Sequence, residues 1–134
     1  MLAVFLCGGQ SNMQYTPHSM AGMNNLTAEL AAADAYGDTI RFFTVGQKNQ
    51  STTPFTNLAS IEEKWSPAST KSLGGTAWDT FSGVCWLFGR DIHDGLGGTV
   101  PIGLISNNWG GTSRRRNCHS AAPPSTISRC VNSD

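Results

Sequence analysis

Two kinds of hydrophobic pattern alternate along the chain. Short, nearly continuous apolar runs occur at Leu2 to Cys7, at Ile40 to Val45 (IRFFTV, interrupted only by Arg41 and Thr44) and at Val100 to Asn107, which Pro101 enters. Each is bounded by glycine or polar turn residues, as expected of strands covered on both faces of a parallel sheet. Between the second and third runs the period changes. Phe81, Val84, Cys85, Phe88, Ile92 and Leu96 fall on one face at steps of three and four, whereas Arg90, Asp91 and Asp94 fall elsewhere. Thr80 to Leu96 is therefore predicted as an amphipathic helix, with Thr80 as N-cap and Gly97-Gly98 as stop. His93 is placed on its solvent side. A shorter Ala-rich helix is predicted from near Thr27 to Tyr36, with Leu26 and Leu30 four apart and Gly37 ending it. Strand, helix, strand, loop, helix, strand is the order of a parallel α/β sheet with crossover helices.

The remaining stretches are irregular. Residues 15–25 carry Pro17, Gly22 and Asn24-Asn25 and read as a loop over the end of the first strand, with His18 in it as a solvated residue. Gln47 to Asp79 holds Pro54, Pro67, Gly74-Gly75 and many Ser and Thr without periodicity, which is unusual in a compact domain unless the loop lines a site. Trp65 and Trp78 within it are read first as anchors of the loop on the core, and second as part of a wall on which a sugar would stack. From Ser113 the chain reads SRRRNCHSAAPP, with few large apolar residues and no period, and is predicted to be disordered.

Length and charge narrow the picture. At 134 residues the chain is one domain at most, large enough to bury roughly two-thirds of the surface its unfolded form exposes. Nine basic against nine acidic groups give no net charge, which argues against a nucleic-acid partner. The balance is uneven, since residues 1–112 hold five basic and eight acidic groups (−3) while Arg114, Arg115, Arg116 and Arg129 against Asp134 give +3. The arginine run is read as a solvated tail. No apolar run approaches the roughly eighteen residues of a membrane helix, and Met1 to Cys7 lacks the basic flank of a signal peptide. Cys7 and Cys85 are expected to be buried free thiols. Cys118 and Cys130 would close a small disulfide loop or, with His119, offer three metal ligands, but no recurring zinc spacing is present and neither metal nor cofactor is predicted. Asn25-Leu26-Thr27 and Asn49-Gln50-Ser51 fit the N-glycosylation acceptor pattern.

The chemistry centres on the end of the first strand. The strand stops at Gly8-Gly9, and Ser11 follows between the amides Gln10 and Asn12. In open α/β sheets ligands bind in the crevice outside the strand carboxyl ends, so Ser11 is a candidate nucleophile; the other reading of the same residues is a simple turn. Three stretches then carry a resemblance. Gly9-Gln10-Ser11-Asn12-Met13 resembles the GQSNM block that opens the catalytic core of sialate O-acetylesterases, a branch of the SGNH-type serine esterases. Phe81 to Arg90 (FSGVCWLFGR) resembles that family's FSAVCYYFGR helix. Pro101 to Ile105 with Trp109 to Thr112 resembles its PIGLI strand and WGGT loop, and the three matches occur in the family's order over roughly residues 3–112.

The resemblance implies a three-layer α/β/α fold with a parallel sheet of the SGNH or flavodoxin-like type, present only in its N-terminal part. Residues 1–112 would be a partial esterase domain, and 113–134 a basic divergent tail. By the same resemblance Ser11 attacks an acetyl carbonyl, the backbone amides of Ser11 and of Gly110 or Gly111 face the oxyanion, and Asn108, Gln10 and Asn12 line the site. The substrate implied is O-acetylated sialic acid or another acetylated sugar, and the family points to a secreted or lysosomal setting. The family's base comes from an Asp-Ile-His-type motif near its far C-terminus. Asp91-Ile92-His93 has the same letters but lies within the predicted helix, where residues two apart point to different sides; His18 and His119 match no family motif. The expectation is thus an esterase by family whose turnover in this chain is low, against the alternative of an inactive fragment with at most glycan binding. A sheet lacking its later strands would expose an edge that invites a partner chain or self-association.

Overall fold

The computed structural model describes residues 2–20, 25–48, 56–75 and 80–112. The three apolar runs are strands β1 (Ala3–Gly9), β2 (Ile40–Val45) and β4 (Ile102–Asn108), and a further strand, β3 (Ile61–Pro67), joins them in the order β1-β4-β2-β3. β4 runs parallel to both β1 and β2, with Leu104 opposite Phe5 on one side and Phe42 on the other. All three therefore deliver their carboxyl ends to one rim of the sheet.

β3 is antiparallel to β2 and was not visible in the pattern of its residues, which fall in the stretch read as irregular. Its sequence, IEEKWSP, has no apolar alternation because it is an exposed edge strand paired on one side only. Glu62, Lys64 and the terminal Pro67 are the charged and proline residues with which edge strands avoid further pairing.

Helix α2 (Leu26–Asp34) begins where expected, capped by Asn25, whose Oδ1 accepts from the Ala28 amide at 3.3 Å. Helix α4 (Gly83–Gly95) begins three residues later than expected. Its cap is Ser82, whose Oγ accepts from the Cys85 amide at 3.1 Å, while Thr80 precedes the helix at φ 72°. The face it buries also differs from the predicted one. Cys85, Trp86, Gly89 and His93 are buried, whereas Phe88 and Leu96 are exposed. The cause is Gly89, which a scale of side-chain hydrophobicity passes over. A Cβ there would lie 2.3 Å from Leu104 Cδ1, so α4 seats on β4 along its glycine and turns the neighbours of Gly89 inward. His93 is thereby 5% exposed rather than solvent-facing. Its ring lies edge-on to Tyr36 at 5.3 Å, with Nδ1 3.3 Å from Asp94 Oδ1.

Two short helices, α1 (Ser11–Gln14) and α3 (Thr70–Leu73), complete the described elements. The core lies between the sheet and α4, where Phe42 stacks on Phe81 at 4.2 Å and meets Trp86 edge-on at 5.7 Å. Cys7 and Cys85 face each other across this layer and are joined as a disulfide, Cα atoms 5.9 Å apart, so the expectation of free thiols is corrected. Burial of each thiol was readable from the pattern; their meeting across 78 residues of sequence was not. Phe5 and Cys7 point toward α4, so alternation puts Val4 and Leu6 on the opposite face, where both are exposed. Trp65 is on that face too, lying over Gly103 and against Phe43 at 5.4 Å; it is a half-exposed residue of β3 on the face away from the core, not an anchor of a loop on the core. Trp78, the Asn49 triplet, Cys118, His119, Cys130 and the arginine run lie outside the described residues.

Candidate active site

β1 ends in a turn made possible by Gly9. A Cβ at Gly9 would stand 2.5 Å from Met13 Cβ, so only glycine lets α1 fold back on the strand it leaves. Gln10 caps that turn through its backbone, its carbonyl accepting from the amides of Met13 and Gln14, each at 2.9 Å. Ser11 is the first helical residue, and Gln10, Ser11 and Asn12 are all exposed. No described histidine is hydrogen-bonded to Ser11.

The loop after β4 lies directly against this turn, because β1 and β4 are neighbours and pair through Gly9 and Asn108 at their ends. A Cβ built on Gly110 would be 3.4 Å from Ser11 Cβ and 3.6 Å from Ser11 Cα. The tighter neighbour of the same position is Gln14 Oε1, at 2.9 Å. Gly111 follows at φ 75°, exposed, with nothing within 4 Å of where its Cβ would be. The turn is closed by Thr112, whose amide donates to the Trp109 carbonyl at 3.2 Å.

Asn108, a candidate oxyanion donor, is buried, 4% exposed. Its Nδ2 donates to Ser106 Oγ and its Oδ1 accepts from Gln47 Nε2 at 3.3 Å. Two residues without a predicted role complete the arrangement. Gln14 Oε1 accepts from the Gly110 amide at 2.7 Å, Gln14 Nε2 donates to Gln47 Oε1 at 2.6 Å, and Gln47 Nε2 donates to the Asn108 carbonyl at 2.5 Å. The links are neutral amides, so no charge within them titrates. Gln47 stands just past the carboxyl end of β2; the rule that ligands gather at strand carboxyl ends would have flagged it had it been applied to all three parallel strands.

His18 is exposed in a 3-10 turn, Pro17–Ser19. Among the described residues no group of three His, Cys, Asp or Glu could hold a metal ion, and no helix is long and apolar enough to cross a membrane.

The fold and the serine turn at the rim of its parallel strands place the chain with α/β esterase domains of the SGNH type. A carbohydrate acetylesterase from Xanthomonas citri superposes with a TM-score of 0.65 at 28% identity, over 83% of this chain and 22% of that one. Sequence comparison carries this further. Sialate O-acetylesterase of Mus musculus is 38% identical over 128 residues, 92% of this chain, and that of Homo sapiens 39% identical over 109 residues, 81% of this chain. No family model matches. Over the matched residues the chain belongs to the sialate O-acetylesterase family, and it spans about a fifth of the length of these relatives (22% and 20%).

Proposed function

We propose that the chain carries the nucleophile side of a carbohydrate O-acetylesterase centre. Ser11 attacks the carbonyl carbon of a sugar acetyl ester, and the backbone amide of Ser11 with one from Gly110 or Gly111 stabilises the oxyanion. Collapse of the tetrahedral adduct breaks the bond from the acyl carbon to the sugar oxygen, which leaves as the sugar hydroxyl with the proton given up by Ser11, and acetyl-Ser11 remains. Water then releases acetate and restores the serine. The observation that carries this reading is the approach of the loop after β4 to the serine turn, a Cβ at Gly110 standing 3.4 Å from Ser11 Cβ. Acetylated sialic acid is the substrate suggested by the names of the relatives; Gln10 and Asn12, exposed beside Ser11, are the side chains that would meet it, whereas Asn108 is buried with its amide engaged by Ser106 and Gln47 and supports the turn instead.

Turnover is proposed to be low. Serine without a positioned base is a weak nucleophile, and oxyanion donors and binding alone leave only residual catalysis. Of the described histidines, His18 is exposed and His93 is packed against Tyr36. That observation favours the second reading, a non-catalytic chain that keeps glycan contacts.

A fluorophosphonate separates the two. The full chain is expected to take up one phosphonyl group at Ser11, detected by intact mass, and Ser11→Ala none. Acetate release from an aryl acetate and from O-acetylated sialic acid is then compared between the two chains. Release no faster than from Ser11→Ala, with Ser11 unlabelled, rules out the catalytic reading.

A further inference from the structure

We propose that Gln14 is a positioning residue of this centre, acting through a ring of amide hydrogen bonds that holds the Gly110-Gly111 turn against Ser11. The inference rests on the reading of Ser11 as nucleophile. The ring joins the carboxyl ends of all three parallel strands: Gln14 follows β1, Gln47 follows β2, and Asn108 and Gly110 end β4.

The ring has a fixed sense. A backbone N–H can only donate and a backbone carbonyl can only accept. The Gly110 amide therefore requires Gln14 Oε1 toward it, which turns Gln14 Nε2 to Gln47. Gln47 must then present Oε1, which turns its Nε2 to the Asn108 carbonyl. Both side-chain amides are oriented from their ends, and neither can flip without facing donor to donor or acceptor to acceptor. Gln14 thus ties the serine turn to the glycine turn.

The ring also divides labour between the two glycines. The single amide hydrogen of Gly110 is given to Gln14, so Gly110 is the clamp. Gly111, exposed and at φ 75°, is left as the loop's donor to an oxyanion. Two adjacent glycines are the most mobile pair a chain offers, and a donor is effective only where it is already in place when charge develops. Gln14 supplies that placement from the same turn that carries the nucleophile.

The test measures phosphonylation of Ser11 in the full chain. In this step the Ser11 Oγ–P bond forms, the P–F bond breaks, fluoride leaves and the serine proton passes to solvent or a base. Gln14→Met keeps the length of the side chain and removes both links. Its limiting labelling rate is expected to fall about tenfold or more, because a small misplacement of a donor costs that much. The half-saturating concentration should stay within about twofold, since binding of the reagent does not use the ring. Amide exchange at Gly110, followed by NMR, should quicken in the same variant. Gln14→Glu gives a signature that a merely structural role would not. At pH 8 its carboxylate cannot donate to Gln47 and sets a negative charge beside the oxyanion; at pH 5, as the carboxyl takes up a proton, its rate should move back toward that of the wild type at the same pH.

Labelling of Gln14→Met at the wild-type rate overturns the proposal. If that variant does not fold, Gln47→Met, which keeps the Gly110–Gln14 bond and removes the links of Gln47 to Gln14 and to Asn108, is expected to slow labelling by a smaller factor, and a wild-type rate there overturns it equally. A wild-type chain that is not labelled at all overturns the nucleophile reading, and this proposal with it. That case is recognisable because exchange at Gly110 would still respond to Gln14→Met.

Discussion

Gly89→Ala is expected to destabilise the chain although the same change improves the helix. In the interior of α4, replacing glycine by alanine is worth about 1 kcal/mol of helix propensity. The new methyl, however, would sit 2.3 Å from Leu104 Cδ1, 2.8 Å from Cδ2 and 3.0 Å from Cγ, against the roughly 3.5–4.0 Å at which carbon atoms rest. Leu104 has no exposed surface and is paired with Phe5 and Phe42 on its two sides, so it has nowhere to turn. Overpacking of this kind costs about 1–3 kcal/mol, and three overlapped atoms place it in the upper half of that range; less the propensity gain, the net loss is about 1–2 kcal/mol. That corresponds to a fall in melting temperature of about 3–6 °C for a domain of this size. Gly95→Ala is the internal control. It lies in the same helix with nothing within 4 Å of its Cβ position, and should stabilise by about 0.5–1 kcal/mol. Urea unfolding followed by circular dichroism measures both. Adding Leu104→Ala should make Gly89→Ala neutral or favourable, because the methyl then enters the space the leucine left. A Gly89→Ala chain as stable as the wild type, in the background that keeps Leu104, would refute the seating of α4 on β4.

Other outcomes follow from the same packing. Reducing the Cys7–Cys85 bond, or replacing both residues by serine, should lower the denaturation midpoint, with an upper bound of about 4.5 kcal/mol from closure of a loop of this length; equal midpoints with and without reductant would show that the thiols are not joined. Two carboxylates should affect stability with opposite sign in pH. The Thr70 amide, then its hydroxyl, donate to Asp34 and hold its pKa below the ordinary 3.8. Its contribution is therefore present above that value and lost as pH falls through the lowered pKa, and Asp34→Asn should flatten the acid limb of stability against pH. Burial pushes Glu63 above the ordinary 4.5, opposed in part by hydrogen bonds from Ser66 and Thr44. A raised carboxyl favours the fold most below 4.5 and loses that advantage as pH rises, so Glu63→Gln should gain on the wild type between pH 4 and pH 7; a constant difference would mean that Glu63 is not desolvated.

Strand and helix positions were largely legible because a buried strand and an amphipathic helix each leave a period in the residues that form them. β3 left none, since an edge strand exposed on most of its positions is under no pressure to alternate. The inward face of α4 was misread for a related reason. Glycine carries no hydrophobic weight, yet Gly89 decides the contact by permitting the closest approach, and His93 turns inward with it. Among the site residues, Ser11 and the glycines stood out by their place after a strand. Gln14 and Gln47 did not, because a glutamine near a loop is ordinary until its partner is known.

The division is thus between what is local and what is shared. The sequence by itself determined where β1, β2, β4, α2 and α4 run, that Ser11 leaves the end of a strand, and which family these stretches resemble, since all of these depend on residues close together in the chain. Only the tertiary structure decided that Cys7 bonds Cys85, that Leu104 selects the face of α4, and that Gln14, Gln47, Asn108 and Gly110 form one ring. Each of those is a distance between segments far apart in sequence, fixed by how helix and sheet pack and by the backbone groups left at the strand ends.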